Sequence, residues 1–266
     1  MNGIEHGSFQ GTSWSKEGSG SPVILVHGLG MNRQMWQWQI ESLSPNFSVI
    51  YYDLLGHGES VNPEIPCQLS QFSSQLLTLM DGLNLECCAL VGFSLGGLIV
   101  QDFALNHPEK VNSLVILNSA HGRTKSERKE VLGRVQQAEE YGPASTVEAA
   151  LKRWFSTDFS AKNPDILNKI RSWIMANDKD IYPEIYRLLA ECDETLKDSI
   201  SAIRCPTLVM TGENDRGNSP EMSQRMAALI PNARAKIIPA LRHMGLAENP
   251  QAFNSQLVSF FKKVLK

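Results

Sequence analysis

Apolar residues in the first half of the chain form short continuous runs, separated by segments with helical spacing. The runs predict buried strands at residues 22–27, 47–53, 87–92 and 111–117. Between them, helices are predicted at residues 34–43, 69–83 and 95–107. Wholly apolar strands that alternate with helices are typical of a parallel sheet covered on both faces. The pattern therefore predicts an α/β fold.

The segment 122–198 has a different pattern, which is charged and contains no run typical of a strand. Amphipathic spacing predicts four helices, at residues 125–141, 146–155, 165–175 and 181–191. Strands at 207–212 and 235–239 and helices at 220–230 and 250–265 then resume the alternation. We expect residues 1–121 and 199–266 to form the core domain, with residues 122–198 inserted as a helical cap over the sheet.

Composition and net charge indicate which kinds of molecule the protein is expected to bind. The chain has 266 residues and a net charge of −3, which gives no reason to expect nucleic acid or an anionic membrane surface. No apolar run approaches the roughly 20 residues that span a bilayer. The first 20 residues lack an apolar signal core, and the five cysteines have neither metal-ligand nor redox spacing. We expect a cytoplasmic protein with a small-molecule partner, and a homodimer stays open.

The candidate nucleophile is Ser94, which lies in the sequence Gly92-Phe93-Ser94-Leu95-Gly96. This Gly-x-Ser-x-Gly pattern stands between a predicted buried strand and a predicted helix. A serine on such a sharp turn projects its hydroxyl out of the backbone, and the glycines leave room for the turn. The following helix directs its positive end at the same point, where a negatively charged oxygen would develop.

A serine hydroxyl needs a base beside it and an acid that orients the base. His243 follows the last predicted strand and Asp215 follows the strand before it, so both lie where open α/β sheets assemble their sites. Glu213 is a rival acid. His27 and His57 could line the cleft, but they precede the serine. Asp53 is interpreted as structural, anchoring the turn around His57.

The remaining requirement is a pair of donors for a developing oxyanion. The glycine-containing turn after residue 27 can direct a backbone N–H toward it. We expect the donors to be the backbone amides of Leu29 and Leu95. This chemistry requires no metal and no cofactor.

Together these residues resemble the α/β-hydrolase superfamily over nearly the whole chain. The resemblance rests on the sequences around His27-Gly28, Gly56-His57-Gly58 and Ser94, and on Asp215 and His243 in the order Ser, Asp, His. It implies an eight-stranded, mostly parallel sheet flanked by helices, with a cap after the sixth strand. It also implies Ser94 as nucleophile, His243 as base and Asp215 as acid. Because the N-terminus is short for the family's antiparallel opening strands, we expect that edge of the sheet to be reduced.

Within the superfamily the chain is similar to small bacterial carboxylesterases, enol-lactonases and C–C bond hydrolases. C–C hydrolases usually have Asn where this chain has Phe93, and the absence of that Asn favours an ester over a C–C bond. Aromatic and Met side chains favour a small-to-medium apolar ester. We expect the pocket to be lined by residues that lie near the serine or the cap. These are Gly28, Met31, Trp36, Phe93, Trp154, Phe155 and Met244.

Two other functions stay open. An enol-lactonase or C–C hydrolase would use the same triad on an acidic ring-cleavage product. Arg33, Arg123 and Arg153 are candidates to bind the carboxylate of such a product, although each alone is typical of a solvated surface charge. A non-catalytic receptor on this fold would bind a small molecule in the same cleft.

Overall fold

The computed structural model describes residues 3–265, which form one eight-stranded sheet. Its strand order is β1-β2-β4-β3-β5-β6-β7-β8, with β3 to β8 parallel to one another and β1 and β2 antiparallel. The strands are β1 Glu5–Phe9, β2 Thr12–Glu17, β3 Pro22–Val26, β4 Ser48–Tyr52, β5 Cys88–Phe93, β6 Val111–Leu117, β7 Thr207–Gly212 and β8 Ala233–Ile238. The predicted mostly parallel sheet is confirmed.

The expectation of a reduced N-terminal edge is wrong. Strands β1 and β2 form a complete hairpin through the turn at Gln10 and Gly11, both of which have positive φ, and β2 pairs with β4. Strand β1 is almost wholly exposed, so it has no apolar run that would have marked it as a strand.

Helices flank the sheet. They are α1 Gln37–Leu43, α2 Leu69–Gly82, α3 Leu95–Asn106, α9 Pro220–Leu229, α10 Gly245–Glu248 and α11 Pro250–Val264. Helix α3 packs on β3, β5 and β6 and also contacts α2. Helix α9 packs on β7 and β8, whereas α1 contacts α10 and α11. The predicted helix at residues 34–43 is divided, because its first turn, Arg33–Trp36, is a 3₁₀ helix.

Five α-helices lie between β6 and β7, and we call them the cap helices. They are α4 Lys125–Tyr141, α5 Val147–Trp154, α6 Thr157–Lys162, α7 Pro164–Met175 and α8 Ile181–Leu196. Helix α4 begins with a capping box between Thr124 and Glu127, which satisfies backbone donors at both ends of the first turn. The short helix α6 was not predicted from the sequence. The division of the chain at residues 121/122 and 198/199 stays a prediction.

The carboxyl ends of the parallel strands and the cap helices line a cavity. In the part of the chain that is described, we find no helix with the length and apolarity needed to cross a membrane.

Candidate active site

Ser94 lies on a sharp turn between β5 and α3. Its backbone has φ 55° and ψ −112°, a conformation that non-glycine residues rarely adopt and that surrounding structure must hold. A Cβ on Gly96 would lie 2.1 Å from the carbonyl oxygen of Val26, so the turn can pack against β3 only with glycine there. The Ser94 side chain, buried except for a small exposed fraction, lines the cavity.

His243 and Asp215 line the same cavity and are joined by a hydrogen bond. The Nδ1 of His243 lies 2.7 Å from Oδ2 of Asp215, so a proton on Nδ1 is donated to the carboxylate and Nε2 stays available as a base. Within residues 3–265 no hydrogen bond joins Ser94 to His243, a contact that commonly tightens only when substrate is bound. The structure thus brings the three predicted residues to one cavity.

The Asp215 carboxylate accepts three further hydrogen bonds that the sequence did not predict. Its Oδ1 accepts from the backbone N–H groups of Gly217 and Asn218, each at 3.1 Å, and its Oδ2 accepts from Nδ2 of Asn118 at 2.9 Å. Asn118 follows β6 with a positive φ of 46° and is fully buried. A polar residue directly after a buried strand is the signal that would have identified it.

The rival acid Glu213 is excluded by its contacts. Its Oε2 accepts from the backbone N–H of Ala240, and its side chain does not line the cavity. Glu213 therefore supports the loop after β8 and does not orient His243.

The His243 ring lies near one aromatic residue of the core and one of the cap. Phe93 lies 4.9 Å from it and Trp154 lies 5.7 Å from it, measured between ring centroids. The backbone N–H of Met244 donates to the carbonyl of Trp154 at 3.0 Å, and Arg242 donates to the carbonyl of Phe155 at 2.7 Å. The end of α5 is therefore tied to the loop that carries the predicted base.

The backbone amides of Leu29 and Leu95 have no hydrogen-bond acceptor within the described chain. Leu95 is the first residue of α3, where a helix leaves its N–H groups without intrahelical partners. Two unpaired donors beside a serine at a helix N-terminus match the arrangement expected for an oxyanion hole.

His27 and His57 do not line the cavity and instead hold the loop that carries Leu29. His57 Nε2 accepts from the backbone N–H of Gly30 at 3.0 Å, and the two rings lie 5.1 Å apart. Burial lowers the pKa of His27 to about 4 and that of His57 to about 3, so both are neutral at pH 7. Asp53 has the structural role interpreted from the sequence, since its Oδ2 accepts from the N–H of Glu59.

The cavity has a volume of about 520 Å³. Four of the seven predicted pocket residues line it, namely Gly28, Met31, Phe93 and Trp154. Trp36, Phe155 and Met244 do not, which corrects the prediction. All three are fully buried in the core, Phe155 stacking on Phe159. An apolar side chain near the site packs into the core as readily as it faces the cavity, and the sequence does not distinguish the two.

The three arginines that were candidates to bind a carboxylate lie in different surroundings. Arg33 pairs with Asp53 and Glu59 away from the cavity. Arg123 reaches the cavity wall but is buried in an ion pair with Asp193, with 3.1 Å between Nη1 and Oδ1. Only Arg153 of the three faces the cavity without a carboxylate partner in the described chain.

Comparison with known proteins agrees with this architecture. A family model described as the alpha/beta hydrolase fold matches residues 21–250, and the chain belongs to that family. It is a hydrolase of this fold.

Two proteins of Acinetobacter baylyi are similar along almost their whole length. The chain is 30% identical to an (E)-2-((N-methylformamido)methylene)succinate hydrolase, covering 93% of this chain and 92% of the relative. It is 29% identical to 3-oxoadipate enol-lactonase 2, covering 91% and 88%. The solved enol-lactonase from Burkholderia xenovorans LB400 superimposes with a TM-score of 0.88 at 26% identity, covering 97% of this chain and all of that one.

Proposed function

We propose that this protein is a serine hydrolase that cleaves a small carboxylic ester or lactone through an acyl-enzyme on Ser94. The observation that carries the proposal is the 2.7 Å hydrogen bond from His243 to Asp215 in the cavity that Ser94 lines. The unpaired amides of Leu29 and Leu95 support it, because acyl transfer needs donors for the oxyanion as well as a base.

In the proposed mechanism, Ser94 Oγ attacks the ester carbonyl while His243 Nε2 takes its proton. The amides of Leu29 and Leu95 stabilise the oxyanion, and His243 then protonates the leaving oxygen. Water, deprotonated by the same nitrogen, attacks the acyl-enzyme, and His243 returns that proton to the leaving Ser94 Oγ as the acid is released. Asp215 stabilises the imidazolium in both steps and keeps its own charge.

A second candidate function is hydrolysis of an acidic enol-lactone, or of a C–C bond in an acidic ring-cleavage product. One observation favours it. Arginine side chains line the cavity, whereas the sequence favoured an apolar ester. Two of the similar relatives are named for a substituted succinate and for 3-oxoadipate enol-lactone, which are acidic compounds. Both candidates use the same serine chemistry.

The test is hydrolysis of p-nitrophenyl acetate by the wild type and by Ser94→Ala. We expect the variant to lose turnover, and the wild type to give an initial burst and an acetyl group on the Ser94 peptide. Ser160→Ala, which removes a hydroxyl from cap helix α6, is the matched control and is expected to retain activity. Turnover retained in Ser94→Ala would overturn the mechanism. A single turnover with tightly held product would support the receptor function instead.

A further inference from the structure

The cavity wall carries an excess of positive charge. Six of its side chains are cationic, namely Arg123, Arg134, Lys152, Arg153, Arg216 and Arg242, whereas its one carboxylate is Asp215. Asp215 is already bonded to His243 and to three other donors. The cavity therefore contains no free carboxylate within the described residues to balance these cations.

The side chains of Arg134, Lys152, Arg153 and Arg216 have no carboxylate partner within the described residues, whereas Arg123 and Arg242 already have partners. Arg123 is neutralised by Asp193, and Arg242 donates to backbone carbonyls of the cap. Arg134, on α4, donates from Nε to the hydroxyl of Tyr186 at 3.0 Å, which is a neutral partner. Arg153, on α5, makes no hydrogen bond and no ion pair within residues 3–265.

Arg153 and Arg134 both line the cavity. Desolvation, followed by the neighbouring charge of Arg134, lowers the pKa of Arg153, while the charge of Asp215 raises it. Arg153 is an exposed residue whose side chain lines the cavity. Two like charges here are unfavourable unless an anion neutralises them.

We propose that Arg153 and Arg134 form a carboxylate-binding subsite, which holds an acidic group on the acyl part of the substrate. A guanidinium matches a carboxylate because its planar fork can donate two parallel N–H bonds. Buried Tyr182 and Tyr186 and the apolar Val131 line the same wall and suit a short aliphatic chain. The proposal rests on the proposed function, since it describes the substrate of that same serine.

The size of the cavity sets the length of this substrate. A sphere of about 520 Å³ is about 10 Å across, which suits one small molecule with an anion on Arg153 and a carbonyl on Ser94. The substrate class is therefore an ester or lactone of a short dicarboxylic acid with one carboxylate free.

The experiment compares two esters that differ in one group. The mono-p-nitrophenyl ester of adipic acid carries a free carboxylate, and p-nitrophenyl 6-methylheptanoate has an isopropyl group in its place. We expect wild type to have the higher kcat/KM for the acid. In Arg153→Met the ratio of acid to neutral ester should fall by about 10- to 100-fold, as expected for loss of a charge-assisted hydrogen bond. Arg134→Met should change the ratio in the same direction.

Arg171→Met is the matched control, because Arg171 lies on a cap helix and carries the same charge but does not line the cavity. It is expected to keep the wild-type ratio. An unchanged ratio in Arg153→Met, or an equal fall in Arg171→Met, would overturn the subsite. Urea unfolding midpoints of the variants verify that each one is folded.

Adipate and inorganic phosphate serve as inhibitors that distinguish the type of anion. Competitive inhibition by adipate that is lost in Arg153→Met supports the carboxylate subsite, whereas tighter inhibition by phosphate contradicts it. If neither ester is hydrolysed, the proposed function fails. Calorimetric binding of adipate to the wild type, compared with Arg153→Met, then still decides whether the subsite exists.

Discussion

Replacing His57 with Gln should reduce the dependence of stability on pH. His57 and its neighbour His27 are buried and neutral, with pKa values lowered by burial to about 3 and about 4. In the unfolded chain a histidine has a pKa near 6.5. As the pH falls below 6.5, the unfolded state therefore takes up protons that the folded state does not, and the free energy of unfolding decreases. It decreases until the pH reaches the folded-state pKa.

The magnitude follows from the unfolded state alone. At pH 5 both histidines remain neutral in the folded protein, whereas in the unfolded chain each is almost wholly protonated. Lowering the pH from 7.5 to 5 should therefore cost about 2 kcal/mol of stability for each histidine. This loss does not depend closely on the folded-state values, because both lie well below pH 5.

The assay is urea unfolding at pH 7.5 and at pH 5, for wild type and His57→Gln. The difference between the two pH values should be smaller in the variant by about 2 kcal/mol. His6→Gln, which removes an imidazole from the exposed strand β1, is the control and should behave as wild type. An equal pH dependence in His57→Gln and wild type would refute the reasoning. Slower hydrolysis of p-nitrophenyl acetate is also expected if the proposed function holds, because His57 Nε2 accepts from the N–H of Gly30.

Two further predictions concern the candidate triad and its turn. Asp215→Asn should lower kcat on p-nitrophenyl acetate by about 10⁴-fold without a large change in the urea midpoint, because an amide cannot hold His243 in the required tautomer. A loss of less than tenfold would argue that another residue is the acid. Gly96→Ala should lower both activity and the urea midpoint, since the new Cβ would lie 2.1 Å from the carbonyl oxygen of Val26. Gly133→Ala is the control, because no atom lies within 4 Å of the Cβ that it would add. A Gly96→Ala protein as active and stable as wild type would show that the turn can relax.

The elements that sequence reasoning predicted are those whose signals are local. Buried parallel strands such as β5 are apolar throughout, and the turn at Ser94 requires glycine on both sides. Strands β1 and β2 and helix α6 were missed because none carries such a signal: β1 is exposed, β2 has a single apolar residue, and α6 has no buried residue.

The candidate site divides in the same way. Ser94, Asp215 and His243 were predicted because each follows a strand of a parallel sheet, and topology alone brings strand ends together. Asn118 follows a strand too, but its function depends on a side-chain contact with Asp215, 97 positions away. Glu213 was excluded as the acid because its carboxylate accepts a hydrogen bond from the backbone N–H of Ala240.

By itself, then, the sequence determined the fold family, the turn that carries Ser94 and the order of the three candidate residues. Only the tertiary structure decided which side chains face the cavity and which arginines lack a carboxylate. Trp36 and Trp154 are equally apolar, yet one is core and the other covers His243. Arg123 and Arg153 carry the same charge, yet only the first meets Asp193. Local sterics and apolar spacing are properties of neighbouring residues, whereas burial and ion pairing depend on contacts that form when distant segments pack together.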